Sequence, residues 1–276
     1  MTEHIILLHG LWMRGFALGL LHRRLMEDGF RVHRFDYLSV ATQQQRILAR
    51  LRMGMLECAP ETVHLVGHSL GGLLALRACL EPGELPPGRI VCLGSPLRGS
   101  AAARAFAAWG RGSEVLLGHN RNLLEQGLET WSGSREVGVI AGSMPIGLGA
   151  MLSHIEGAND GTVAVEETIV PGLTAHCVVE TSHTGLLFSA EVARLASEFL
   201  HRGQFGSLSP PGRGLGWGAT LARYLTREPL QNRLHARLAP HPTLRATFSL
   251  LLKAEYIHVL SPRAPKGRRK CDGAMQ

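Results

Sequence analysis

One serine sits where an apolar run meets a helical one, in Val63-His64-Leu65-Val66-Gly67-His68-Ser69-Leu70-Gly71-Gly72-Leu73-Leu74. The G-x-S-x-G spacing, with a strand before it and a helix after it, demands a sharp and strained turn. Gly67 and Gly71 keep Cβ atoms from colliding across that turn, and His68 completes it. Ser69 is then expected to stand exposed above the sheet, at a helix N-terminus whose N–H groups point toward a developing oxyanion. That equips it as a nucleophile for acyl transfer, with the N–H of Leu70 as one oxyanion donor.

A second stretch, Leu7-Leu8-His9-Gly10-Leu11-Trp12, directly follows the first apolar run. The His9-Gly10 pair bends the chain beside the serine turn and offers the N–H of Leu11 as the second oxyanion donor. His9 itself is expected to be structural. Trp12 and Met13 are candidates for an acyl pocket, and core packing accounts for the same residues equally well.

A serine nucleophile needs a base and an orienting acid, which after a strand-turn-helix serine follow in the chain order Ser, Asp or Glu, His. Ala158-Asn159-Asp160-Gly161-Thr162-Val163 places Asp160 in a tight turn after the fifth apolar run, and Thr181-Ser182-His183-Thr184-Gly185 places His183 after the last one. Among 14 histidines His154 is the rival base, but it precedes Asp160. Glu156 and Glu180 are second choices for the acid. Asp36, after the second run, can also reach the site, although its setting reads as structural.

These residues require a scaffold that brings distant loops to one edge. Short aliphatic runs at Ile5 to Leu8, Arg31 to Tyr37, Val63 to Val66, Arg89 to Leu93, Val137 to Ala141 and Ala175 to Val179 alternate with helical-period segments. That alternation predicts an α/β fold: a mostly parallel central sheet of about six strands with flanking helices. Leu18, Leu21 and Leu25 share one helical face, as do Ile47, Leu48, Leu51 and Met55. Val192, Leu195, Ala196 and Phe199 mark the closing helix. Residues 99–135 exceed a plain crossover and carry Trp109, Leu116, Leu117, Leu123, Leu124 and Trp131. They read either as a lid or as ordinary packing helices.

The net charge of +7 is uneven. After residue 206 there are 12 Lys and Arg against 3 acids, and half of the 14 prolines fall there too. A domain over residues 1–206 and a basic tail over 207–276 follow. The tail reads chiefly as a poorly ordered Arg/Pro/Gly-rich extension. Its apolar residues Leu244, Phe248, Leu251, Leu252, Tyr256, Val259 and Leu260 are compatible with an amphipathic helix, and with the basic cluster Lys266, Arg268, Arg269 and Lys270 after it they also permit peripheral contact with an anionic membrane surface. Nucleic acid is not expected as a partner, because no binding module is identifiable. Five widely spaced cysteines without a CxxC pair argue against a disulfide framework. With no signal-peptide pattern and no spanning segment, a cytoplasmic location is expected.

The domain resembles the lipase and esterase branch of the α/β-hydrolase superfamily, similar to bacterial triacylglycerol lipases and GPI-inositol-deacylase-like proteins. The matching pieces are the LLHG loop, the GHSLGG turn, the LGSPLRGS segment from Leu93 to Ser100, the ANDGTV turn and the SHTG loop. The resemblance implies a catalytic set of Ser69, Asp160 and His183 acting on a small-molecule or lipid ester, with no metal or organic cofactor. The same residues also serve acyltransferases and thioesterases, and some members of the superfamily are catalytically idle binding modules.

Overall fold

The computed structural model describes residues 2–107, 117–146 and 155–206. Strands β1 (Glu3–Leu8), β2 (Arg31–Phe35), β3 (Thr62–His68), β4 (Ile90–Leu93), β5 (Val137–Gly142) and β6 (Ala175–Val179) form one sheet in the order β2-β1-β3-β4-β5-β6. Every neighbouring pair is parallel. Parallel pairing requires crossovers that cover both faces, which is why the central strands are nearly continuous Val, Ile and Leu. β2 lies at an edge and carries Arg31, His33 and Arg34 at exposed positions.

The crossovers and closing segments are α1 (Gly19–Glu27), α2 (Gln44–Leu56), α3 (Leu70–Leu80), α4 (Ala101–Ala107), α5 (Arg121–Gln126) and α6 (Ala190–Arg202). Alternation along the strands sorts neighbouring side chains to opposite faces. Ile6, Leu8, Leu65, Ile90, Cys92 and Val139 join α2, α3 and α5 in one apolar cluster. Ile5, Leu7, Val66, Val91, Leu93 and Ile140 join α1 and α6 in the other. The Ser189 hydroxyl caps α6 by accepting the N–H of Val192 at 3.2 Å, and Phe199 is fully buried on the inner face of that helix.

The strand order creates a crevice. β1 leads outward to β2, whereas β3 leads the opposite way to β4, so the loops at their carboxyl ends diverge. The loop after β1 is His9-Gly10, and the residue after β3 is Ser69.

One expectation needs adjustment. β2 ends at Phe35 and not at Tyr37, because Asp36 and Tyr37 leave the sheet to hold the loop after β1. Within 99–135, Leu117, Leu123, Leu124 and Trp131 are buried in the first cluster. Ser100 N–H donates to the Leu124 carbonyl at 2.8 Å, and Leu128 N–H to that of Leu97 at 2.6 Å. Trp109, Leu116, His154 and the whole tail from 207 lie outside the described residues. Among the described residues no helix is long and apolar enough to cross a membrane.

Candidate active site

β3 ends at His68 and α3 begins at Leu70, so Ser69 alone makes the turn. Its backbone lies at φ 56°, ψ −121°, a region that side chains disfavour by on the order of 1–3 kcal/mol. The crossing is tight. A Cβ on Gly67 would meet the Gly71 carbonyl carbon at 2.4 Å, and one on Gly71 would meet the Leu8 carbonyl oxygen at 2.5 Å. Ser69 N–H donates to the Leu93 carbonyl at 2.9 Å, fastening the turn to β4. Ser69 is half-buried, less open than the sequence predicts, since the loop after β1 lies against it. A Cβ placed on Gly10 would sit 3.0 Å from the Cβ of Ser69.

That loop is held from behind. His9 is fully buried and stacks on Tyr37 with ring centroids 4.1 Å apart. Its Nδ1–H donates to the Gly10 carbonyl at 2.9 Å, its Nε2 accepts the Tyr37 N–H at 3.4 Å, and the Tyr37 hydroxyl donates to the His9 carbonyl at 2.5 Å. Burial lowers the His9 pKa, which matches a neutral ring serving as a spacer. Burial works against ionisation of Asp36, but the Gly15 N–H and the Arg14 guanidinium prevail and hold its carboxyl below the usual range. Both residues support the loop. Leu11 packs partly against the first cluster. Trp12 takes a positive φ of 58°, donates its N–H to the Ser39 hydroxyl at 3.0 Å, and sets its ring edge-on to Phe106 of α4 at 6.1 Å. Met13 brings its sulfur within 3.4 Å of a Cβ placed on Gly10.

Asp160 and His183 meet where the loops after β5 and β6 come together. The buried Asp160 accepts the N–H groups of Thr162 and Val163 on Oδ1, at 3.0 and 2.7 Å. Its Oδ2 accepts the His183 Nδ1–H at 2.7 Å, and His183 N–H donates to the Asp160 carbonyl at 2.8 Å. With Nδ1 as donor, the lone pair of the imidazole lies on Nε2. Gly94, directly after the Leu93 that holds Ser69, presses on the pair. A Cβ there would come within 2.9 Å of Asp160 Oδ2 and 3.2 Å of His183 Nδ1.

His68 joins the two halves. It precedes Ser69, its ring lies 4.6 Å from that of His183, and its Nε2–H donates to the His183 carbonyl at 3.0 Å. Burial, and then the neighbouring His183, keeps its pKa well below the ordinary histidine value. The motif places His68 only in the turn, and its contact with His183 spans 115 residues, so no local pattern reveals it. Glu167 is a further residue that no motif marks. It accepts the N–H groups of Ala101 and Ala164, and its own carbonyl accepts the Arg98 N–H, tying the Asp160 turn to the segment after β4. Ala164 lacks the hydroxyl that would mark a capping box with Glu167, so the sequence carries no signal for this bridge. Of the rival acids, Glu156 and Glu180 are exposed.

The alpha/beta hydrolase family model matches residues 5–155. No curated protein matches the chain. Among solved structures, the lipase BlEst2 of Bacillus licheniformis in mature form is 20% identical with a TM-score of 0.55, covering 67% of this chain and 86% of that one. Its propeptide form is 18% identical with a TM-score of 0.57, covering 78% of this chain and 53% of that one. The metagenomic carboxyl esterase MGS0156 is 17% identical with a TM-score of 0.51, covering 66% of this chain and 64% of that one. At these identities the likeness is one of fold. With a family match across more than half of its length and a six-stranded parallel sheet carrying the strained serine turn, the chain belongs to the alpha/beta hydrolase family.

Proposed function

We propose that the protein is a serine carboxylic-ester hydrolase of the esterase or lipase type, working through an acyl-enzyme. The observation that carries this reading is the buried Asp160–His183 hydrogen bond, 2.7 Å long, set around the same Leu93-Gly94 corner that fastens the strained Ser69. Ser69 Oγ attacks the ester carbonyl while His183 Nε2 takes its proton. The oxyanion faces the N–H groups of Leu70 and Leu11, each contributing on the order of 3 kcal/mol. Collapse breaks the bond to the alkoxy group, which leaves as the alcohol with the proton from His183. Water then gives a proton to His183, attacks the acyl carbon and frees the acid as Ser69 recovers its proton. Asp160 holds the Nδ1–H tautomer and stabilises the imidazolium between these transfers.

The names of the structural neighbours, a lipase and a carboxyl esterase, agree with an ester substrate. We assign the acyl group of a small-molecule or lipid ester to Met13, which lies beside Gly10, and to Trp12, whose ring meets Phe106. The test is hydrolysis of p-nitrophenyl esters from short to long acyl chains, with and without an acceptor alcohol. Wild type should release free acid, and Ser69→Ala should lose at least about 10⁴-fold in rate while remaining folded. An inert, folded wild type would contradict the proposal, and so would an ester product formed in preference to the acid.

A further inference from the structure

We propose that His4, His33 and Cys58 form a divalent transition-metal site, with Zn²⁺ the fitting ion, at the end of the sheet opposite Ser69. His4 lies near the start of β1, His33 on the neighbouring β2, and Cys58 just beyond α2, which covers that face of the sheet. One ligand atom from each lies within 4.8 Å of the other two. They border a cavity of about 380 Å³ that is also lined by Ile6, Phe35 and Glu57.

The arrangement around His4 points to a ligand. This buried ring gives its Nε2–H to the Glu61 carboxylate at 2.5 Å, which leaves its lone pair on Nδ1. Carboxylates hold metal-binding histidines in this way, fixing the tautomer and raising the basicity of the other nitrogen. That nitrogen accepts the His33 Nε2–H at 3.0 Å, which brings two imidazole nitrogens together. Two nitrogens bound tetrahedrally to one Zn²⁺ lie about 3.4 Å apart, so seating the ion replaces this hydrogen bond, opens the pair and turns the two nearly parallel rings toward a common point. Binding moves the His33 proton from Nε2 to Nδ1 and releases the Cys58 thiol proton to solvent. Two imidazoles and a thiolate suit Zn²⁺ better than Mg²⁺ or Ca²⁺, which take oxygen ligands. Arg31 and Arg34 line the same cavity, and Glu57 and Glu61 offset their charge.

The site is remote from the proposed chemistry. From His4 to Gly10 the extended chain runs roughly 20 Å. The ion would clamp β1, β2 and the end of α2, and so stabilise the edge of the sheet.

The experiment is titration of the full-length, reduced protein with Co²⁺ as a spectroscopic stand-in for Zn²⁺, read by absorbance and by thermal unfolding. Wild type should bind one equivalent, show a near-ultraviolet thiolate-to-cobalt band and gain thermal stability. Cys58→Ser should lose the band, and His33→Ala, altered at an exposed position, should weaken binding at least as much as Glu61→Gln, which should weaken it about 10–100-fold. Ser69→Ala should bind as wild type does, so failure of the esterase reading leaves this result unaffected. Absence of one-to-one binding, a band that persists in Cys58→Ser, or equal affinity in His33→Ala would each overturn the proposal.

Discussion

Ser69 holds a backbone conformation that glycine adopts freely and other residues resist, and nothing in its local sequence relieves that strain. Ser69→Gly should therefore raise stability by about 1 kcal/mol in urea unfolding while abolishing ester hydrolysis. Ser69→Ala should abolish hydrolysis with no such gain. At Gly94 the direction reverses. A methyl group there would crowd Asp160 Oδ2 and His183 Nδ1 at a φ of +53°, so Gly94→Ala should lower stability by about 1–3 kcal/mol and reduce kcat. The meeting of Asp160 with His183 was legible because chain order narrows the choice to the loops that follow the last two strands. The grip of His68 on the His183 carbonyl and the bridge through Glu167 were not legible, since each joins segments far apart in sequence through one or two hydrogen bonds.

α6 closes one face of the sheet, and its stability rests on a cap and one large ring. Ser189→Ala should cost about 1 kcal/mol by leaving the first turn of α6 without its cap. Phe199→Ala should cost about 3–5 kcal/mol, because the ring is fully buried and fills the space left by Gly138 on β5. Both effects should appear in thermal unfolding with kcat per folded molecule unchanged, since neither residue touches the serine turn. All six strands were legible from their aliphatic runs, as the central ones are buried on both faces and have no alternation to obscure them. The end of β2 was not, because Asp36 and Tyr37 continue its pattern but serve the loop after β1. The apolar residues at 117, 123, 124 and 131 fit either of the two readings of 99–135, since a helix that packs and one that covers a site bury similar faces.

Across the molecule, burial lowers the pKa of His9, His22, His33, His64, His68 and His176, that of His64 to about 4. Above the ordinary value of 6.5 neither state holds these protons and stability is complete; as pH falls through it, the unfolded chain takes them first. Stability should therefore fall with acidification between 6.5 and about 4, and His64 alone should contribute on the order of 3 kcal/mol to that loss. Urea unfolding across this pH range measures it, and a flat profile would contradict the lowered histidine pKa values. The sheet order places the serine turn and the loop after β1 at one crevice, with Asp160 and His183 arriving from the far strands, so the central claim is that Ser69 is the group that becomes acylated. The most direct measurement is mass spectrometry of the intact and digested protein after treatment with a fluorophosphonate. A single adduct on Ser69, absent from Ser69→Ala and slowed in His183→Ala, is the predicted result; a folded protein left unlabelled, or labelled equally in Ser69→Ala, would contradict it.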